Sequence, residues 1–312
     1  MVVMVINKGS LMVLFAGIAW GLSGVSGQYL MSHGVEVNLL TSLRLMISGT
    51  VLCVMAFMTQ KEKMLRVLAS PNILLNIFMF SILGLLMNQY TYMNAIKHTN
   101  AGTATVLQYL SPVLIMSVVA INEKRMPSVA EGLSIIFAIL GTAVIATHGQ
   151  LGSLAITPEG LVWGLISAIT ATLYVLMPAR LIEKWGSLVV IGLAMIFSGS
   201  LFTVIVRPWR YHMDLTTGNS IALFGLIAIG TIFAYTFFLK GASLVGPVKG
   251  TLLAAVEPVA SVLFALVLLS LLSEFFYPMD LIGMFFIMMA VLLISLRDFI
   301  LLRRQKRLQD LS

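Results

Sequence analysis

Two charged side chains inside long apolar stretches are the residues of this sequence best suited to chemistry. Glu257 stands next to Pro258, and Arg44 lies in a different apolar stretch. A charge in apolar surroundings is costly, so each should face a cavity or a partner of opposite charge. Glu257 fits a proton carrier or the counter-charge of a cationic group, and also a structural partner of Arg44 or Lys249. Arg44 fits an anion-binding residue, a structural ion pair, or a side chain that extends to an interface with water.

Lys249 is a further candidate for the same kind of site. It precedes Glu257 by eight residues, which is roughly 12 Å along a helix axis. It lies near the end of its apolar stretch, so its ammonium group can reach water by extending along the helix. We favour that interpretation and keep Lys249 as a candidate binding residue.

Two prolines at similar places in separate apolar stretches form the strongest local feature. Pro112 and Pro258 each interrupt a potential helix, because proline removes a backbone hydrogen bond and clashes with the preceding turn. Such interruptions are tolerated where protein or a watery cavity surrounds them, which indicates a central binding site, with a structural kink as the alternative. Gln108 and Tyr109, one turn before Pro112, and Gln89 are candidate cavity-lining groups or, alternatively, contacts between helices.

The sequence also repeats internally, with its matches in the same order in both halves. The corresponding pairs, at offsets of 143, 145 and 146 residues, are Trp20 and Trp163, each inside G-x-x-W-G, then Tyr90 and Tyr235, then Pro112 and Pro258. The two tryptophans either wall a central cavity or pack helices together. Tyr235 joins the candidate binding residues.

The elements that must position these residues are apolar helices long enough to cross a bilayer. Of the 312 residues, 59% are hydrophobic and 10% are charged, against roughly 25% charged in a soluble domain. The apolar residues come in blocks of about 20, the length of a membrane-spanning helix. We predict an all-α integral membrane protein with ten transmembrane helices, at residues 10–31, 38–59, 72–96, 101–121, 128–147, 159–179, 187–206, 218–239, 246–272 and 278–296.

The net charge of +7 reflects membrane topology and not nucleic-acid binding. The basic residues concentrate in loops on one side of the membrane and in the C-terminal tail, whereas the opposite loops carry Lys97, Arg207 and Arg210. Basic loops stay in the cytoplasm. We therefore predict a multi-pass protein of the plasma or inner membrane, with both termini cytoplasmic and no nucleic-acid partner.

The internal matches divide the chain into two sets of five helices. Because five is odd, the second set enters the membrane from the opposite side, and inverted-topology repeats are typical of many secondary transporters. We predict the first repeat at 1–150, the second, inverted repeat at 151–300, and a basic cytoplasmic tail at 301–312.

The sequence templates of common enzymes are absent. There is no H-E-x-x-H zinc motif and no G-x-S-x-G nucleophile elbow. The segment from Gly241 to Gly246 is the nearest approach to a P-loop, but Pro247 takes the place of the essential lysine. We therefore expect no enzyme, no metal and no cofactor.

These motifs resemble those of the drug/metabolite transporter superfamily, in particular its EamA-type members. The matching pieces, which span about residues 10–297, are Trp20-Gly21, Arg44-Leu45, Ala101-Gly102-Thr103-Ala104 through Leu110-Ser111-Pro112, Trp163-Gly164, Lys240-Gly241-Ala242, Gly250, Glu257-Pro258-Val259 and Gly283. The sequence departs from the family pattern at the residue before each proline, which is Ser111 in the first half and Glu257 in the second. Only one of these two positions is therefore acidic.

The resemblance implies a ten-helix secondary transporter of small metabolites such as amino acids or amines, often an exporter. It also implies a central cavity with alternating access. The expected partners are a small-molecule substrate and the lipid bilayer, and we consider a coupling proton and a homodimer as further partners. An intramembrane lipid-handling protein and a passive channel are the alternatives.

Overall fold

The computed structural model describes residues 8–122, 124, 126, 128–147, 156–245, 253–254, 256–265, 267, 279 and 281–293. This part of the chain is almost entirely helical and contains no strand. A short 3-10 helix, Pro208–Arg210, precedes the tenth of its helices. In chain order the helices are α1 (Lys8–Ser32), α2 (Val37–Leu68), α3 (Pro71–His98), α4 (Ala101–Gln108), α5 (Ser111–Asn122), α6 (Val129–Thr147), α7 (Pro158–Leu176), α8 (Ala179–Trp185), α9 (Ser187–Val206), α10 (Thr217–Phe224, Gly225–Phe233 and Ala234–Val245), α11 (Glu257–Phe264) and α12 (Leu281–Leu293).

The chain is a multi-pass membrane protein. Within the described ranges, seven stretches of helix are long and apolar enough to cross a bilayer: α1, α2, α3, α4 with α5, α7 with α8, α9, and most of α10. The helices α6 and α12 are apolar but shorter. Large apolar side chains such as Val54, Met58 and Ile221 are exposed on the outside of the helices, as contact with lipid requires. The predicted span 246–272 lies partly outside the described residues, so ten transmembrane helices stay a prediction.

Side chains cap the start of several helices. Asn100 caps α4, and Thr157 caps α7. At α6 the backbone N–H of Ser128 donates to Oε2 of Glu131 at 2.6 Å, which is one half of a capping box. These caps bind backbone groups that a helix end leaves unpaired.

The helices α2 and α9 cross so closely that a side chain at either crossing glycine would collide. A Cβ atom at Gly49 would lie 2.9 Å from Cβ of Met195, and a Cβ atom at Gly192 would lie 3.1 Å from the backbone nitrogen of Cys53. Small residues permit this approach between helices in a membrane. The contact is nearly symmetrical, because Gly49 and Gly192 are 143 residues apart and each faces the turn that follows the other.

A second symmetrical glycine contact joins α6 and α12. A Cβ atom at Gly141 would lie 2.7 Å from the carbonyl oxygen of Gly283, and one at Gly283 would lie 2.8 Å from the carbonyl oxygen of Gly141. The fifth and the tenth predicted spans therefore pack directly on each other.

Both α3 and α10 contain a π-helical segment. The segments are Ser81–Leu86 in α3 and Gly225–Phe233 in α10. Their first residues are about as far apart in sequence as the matched residues of the internal repeats. In α10 the hydroxyl group of Thr231 donates to the carbonyl oxygen of Leu226 at 3.0 Å. This bond satisfies a carbonyl in the widened turn, and such turns are frequent at functional sites.

Two buried apolar clusters hold these helices together. One joins α2, α3 and α9 and includes Leu45, Phe80 and Met195. The other joins the ends of α1 and α3 to α10 and includes Leu30 and Leu226. The helices that carry Arg44, Gln89 and Tyr235 are thus fixed against their neighbours by close packing.

Candidate functional site

The helix of the predicted span 101–121 is interrupted just ahead of Pro112. The first segment, α4, ends at Gln108, and the next two residues form a turn before α5 begins at Ser111. Pro112 therefore lies in the first turn of α5, where its missing N–H costs no helical hydrogen bond. The chain changes course before the proline and does not kink inside a continuous helix.

The break at Pro258 has the same local form. Val256 lies in a turn, α11 begins at Glu257, and Pro258 is the second residue of the helix. The N–H of Ala260 donates to the carbonyl oxygen of Val256 at 2.9 Å and closes the first turn. Glu257 thus stands at a helix N-terminus, where the helix dipole favours a negative charge.

A hydrogen bond joins the two interruptions. The hydroxyl group of Tyr109 donates to Oε2 of Glu257 at 3.0 Å, and it also lies 3.2 Å from the carbonyl oxygen of Ala254. A phenol has one hydrogen to donate, so it serves one of these acceptors at a time. Tyr109 and Glu257 are both half-buried residues.

Arg44 is buried and has no ion-pair partner among the described residues. Arg44 is 6% exposed. This burial disagrees with the interpretation that its side chain extends to the outer membrane interface. Its Nε donates to Oγ1 of Thr231 at 2.9 Å. One terminal nitrogen, NH1, has no hydrogen-bond partner in the described part of the chain. The charge of Glu257 lies within electrostatic reach of Arg44, but no N–O distance between them falls within 4.0 Å.

Three tyrosines surround the guanidinium group of Arg44. Tyr235 is 6% exposed and forms side-chain hydrogen bonds with Tyr174 and Gln89. Tyr92 is also buried, and all three phenol groups lie within electrostatic reach of Arg44. Several phenol hydroxyl groups therefore lie near Arg44.

Trp20 and Trp163 each pack edge-on against a tyrosine from the opposite half of the sequence. The rings of Trp20 and Tyr235 are 5.6 Å apart with an angle of 76° between their planes. The rings of Trp163 and Tyr90 are 6.1 Å apart with an angle of 89°. Since Tyr235 also forms a side-chain hydrogen bond with Gln89, Trp20 packs on a residue of the candidate site.

Gln108 links helices rather than standing free in a cavity. Its Nε2 donates to Oδ1 of Asn88 at 3.0 Å and to Oγ of Ser167 at 2.9 Å. Both amide hydrogens are therefore used in contacts between α4, α3 and α7. Only its carbonyl oxygen remains for a solute.

Sequence analysis missed three residues that the structure places beside the predicted ones. Tyr92 follows Asn88 and Gln89 by one helical turn, a spacing that could have revealed it, and Tyr174 is a polar group within an apolar helix. Thr231 carries no such signal, because its role depends on its contact with Arg44. Lys249 lies outside the described residues.

The described residues hold no group of three or more His, Cys, Asp or Glu side chains that could bind a metal ion. What they hold within electrostatic reach of each other is one cation, Arg44, and one carboxylate, Glu257, both in apolar helices and both with tyrosines nearby. This arrangement can bind a small polar solute and can hold or release a proton at Glu257.

Comparison with known proteins agrees with this architecture. The EamA-like transporter family matches the chain twice, at residues 7–147 and 158–296. The chain is 36% identical over 291 residues to a protein of Salmonella typhimurium named "Uncharacterized inner membrane transporter YicL", across 93% of this chain and 96% of that protein. A solved crystal structure with 20% sequence identity shares the fold, with a TM-score of 0.61, across 93% of this chain and 96% of that one. The chain is therefore a member of the EamA-like transporter family of membrane proteins.

Proposed function

We propose that this membrane transporter is a secondary active carrier that exports a small metabolite, such as an amino acid or amine, by alternating access. The observation that carries the proposal is that Arg44 and Glu257, both inside apolar helices, form no ion pair with any described residue. Charge inside a membrane is costly and marks solute or ion pathways. A solute that binds between the two residues would supply the missing partners.

The contacts between the two halves support an inverted repeat. Trp20 of the first half contacts Tyr235 of the second, and Trp163 of the second half contacts Tyr90 of the first. The same type of contact is therefore made in both directions between the two halves. The close approaches of α2 to α9 and of α6 to α12 are each nearly symmetrical. We propose ten helices in two inverted repeats, at 1–150 and 151–300, with a tail at 301–312, which is the arrangement that rocking carriers use.

Glu257 is the proposed site of proton coupling. It stands at the start of α11, is half-buried, and accepts a hydrogen bond from Tyr109. Release of that donor would let the carboxylate accept a proton or a cationic group of the solute. Coupled movement of the proton and the solute would then drive export.

We place the protein in the cell membrane with both termini in the cytoplasm, because the loops on that side carry most of the basic residues. A homodimer is a further hypothesis, which the oligomeric mass in detergent tests. No nucleic-acid partner and no cofactor form part of the proposal.

Counterflow in proteoliposomes tests the proposal. The purified protein is reconstituted and loaded with unlabelled amino acids or amines, and uptake of the labelled solute is measured with and without a pH gradient. A carrier gives saturable uptake that an internal solute accelerates. Conductance that does not saturate would instead support a passive channel, and lipid movement between leaflets without solute flux would support a lipid-handling protein.

A further inference from the structure

Arg44 belongs to a row of buried polar residues on one face of α2. Thr41, Arg44 and Ser48 are spaced by three and four residues, so their side chains lie above one another on the helix. Their exposed fractions are 1%, 6% and 0%. We call these three residues the α2 polar row.

Each member of the α2 polar row has a polar atom without a hydrogen-bond partner in the described part of the chain. The atoms are Oγ1 of Thr41, NH1 of Arg44 and Oγ of Ser48. With Oγ of Ser42 they make up four of the seven such atoms in the described residues, all within one stretch of eight residues. Buried polar atoms are nearly always paired, so this concentration indicates that something other than protein binds here.

Arg44 is suited to bind an anion. Its Nε is held by Thr231 at 2.9 Å, which restrains the guanidinium group. Its terminal nitrogen NH1 has no hydrogen-bond partner in the described part of the chain and can donate to a carboxylate, an anion that guanidinium binds well. Thr41 and Ser48 lie one turn on either side of Arg44, roughly 10 Å apart along the helix, so one of the two hydroxyl groups at a time can donate to an anion held by Arg44.

We propose that the α2 polar row is a carboxylate subsite, so that the transported solute carries a carboxylate and simple amines are not substrates. This inference rests on the proposed transport function and names the solute class of the same site. Arg44 receives the carboxylate, while Glu257, within electrostatic reach of Arg44, can face a cationic group.

The subsite is linked to α10 through Thr231. The hydroxyl group of Thr231 accepts from Arg44 and donates to the carbonyl oxygen of Leu226, inside the π-helical segment. These hydrogen bonds connect the first half of the sequence to the second. A carboxylate that moves the guanidinium group would therefore also pull on Thr231 in α10.

Binding to the purified full-length protein tests the proposal. The probes are the twenty common amino acids and matched analogues: leucine, 4-methylpentanoate without the amine and 3-methylbutylamine without the carboxylate, with the corresponding set for phenylalanine. Solute-dependent thermal stabilisation and counterflow are measured. We expect at least one carboxylate-bearing solute to bind, and its amine analogue to bind roughly tenfold or more weakly.

Substitutions then locate the subsite. Arg44→Gln should remove the preference for the carboxylate-bearing solute, Arg44→Lys should restore part of it, and Thr231→Val should weaken it. Arg66→Gln is the matched control, because Arg66 lies on the same helix with a 73% exposed side chain, paired with Glu62 at 3.7 Å.

The proposal is overturned if amines bind as tightly as their carboxylate-bearing parents, if no carboxylate-bearing solute binds, or if Arg44→Gln keeps the preference. The comparison of analogues on the unmodified protein decides the matter even if Arg44→Gln fails to fold. Counterflow of an amine alone would leave the proposed transport function intact, whereas absence of saturable counterflow for every solute would remove that function.

Discussion

The phenol group of Tyr109 donates to the carboxylate of Glu257 at 3.0 Å, and this bond joins the helix interruption of the first half of the chain to that of the second. The two residues are 148 positions apart in sequence. In the proposed rocking cycle, a motion that separates the two halves at this point would break the bond.

Glu257→Gln should insert and fold normally but lose the response of solute flux to a pH gradient. Glutamine keeps an acceptor oxygen for Tyr109 but cannot bind and release a proton. Flux into proteoliposomes, with and without a gradient, should fall close to that of liposomes without protein. The control is Glu62→Gln, at a side chain that is 89% exposed. Normal pH-driven flux in Glu257→Gln would exclude Glu257 as the proton carrier.

Tyr109→Phe should lower the solute concentration for half-maximal counterflow by roughly tenfold, because it frees the carboxylate of Glu257 from a hydrogen bond that competes with the solute. Tyr211→Phe is the matched control: the Tyr211 hydroxyl group also forms a hydrogen bond, with Asn38 at 2.9 Å, but away from Glu257. Equal effects of the two substitutions would mean that the bond to Glu257 has no special role.

Gly192→Leu should destabilise the protein by about 1–3 kcal/mol, since a side chain there enters the backbone of α2. The thermal midpoint in detergent measures this loss. Gly132→Leu serves as the control, because a Cβ atom at Gly132 meets nothing within 4 Å. An unchanged midpoint for Gly192→Leu would show that α2 and α9 are less closely packed than described.

Cysteine labelling tests the predicted topology. In a background that carries Cys53→Ser, a cysteine in place of Glu62 should react with an impermeant maleimide only from the cytoplasmic side. A cysteine in place of Glu159, whose side chain is 72% exposed, should react only from outside. Labelling of both positions from one side would contradict the predicted orientation.

Sequence patterns located the apolar helices well, because long apolar blocks have few alternatives in a chain of this composition. The predicted end of the second span at residue 59 coincides with a kink, because Gln60 has non-helical angles (φ −137°, ψ 38°), and α2 resumes beyond it to Leu68. Hydropathy records only the part of a helix that lies in hydrocarbon, and the segment after the kink carries charged residues.

Only part of the candidate site could be predicted from the sequence. Its charged members, Arg44 and Glu257, could be identified because a charge inside an apolar stretch is rare. The partner of Arg44, Thr231, lies 187 positions away, and the π-helical turn that positions it has no composition of its own. Contacts between distant helices depend on packing, which a single sequence does not specify.

The position of Arg44 has an electrical consequence. A guanidinium group without an ion pair, about 10 Å along the axis of α2 from Val37, lies within the voltage drop across the membrane. Any rocking that shifts α2 along the membrane normal carries that charge through part of the field, which is worth about 2.3 kcal/mol per charge for each full 100 mV. The membrane voltage can therefore bias the direction of the cycle even for a solute without net charge.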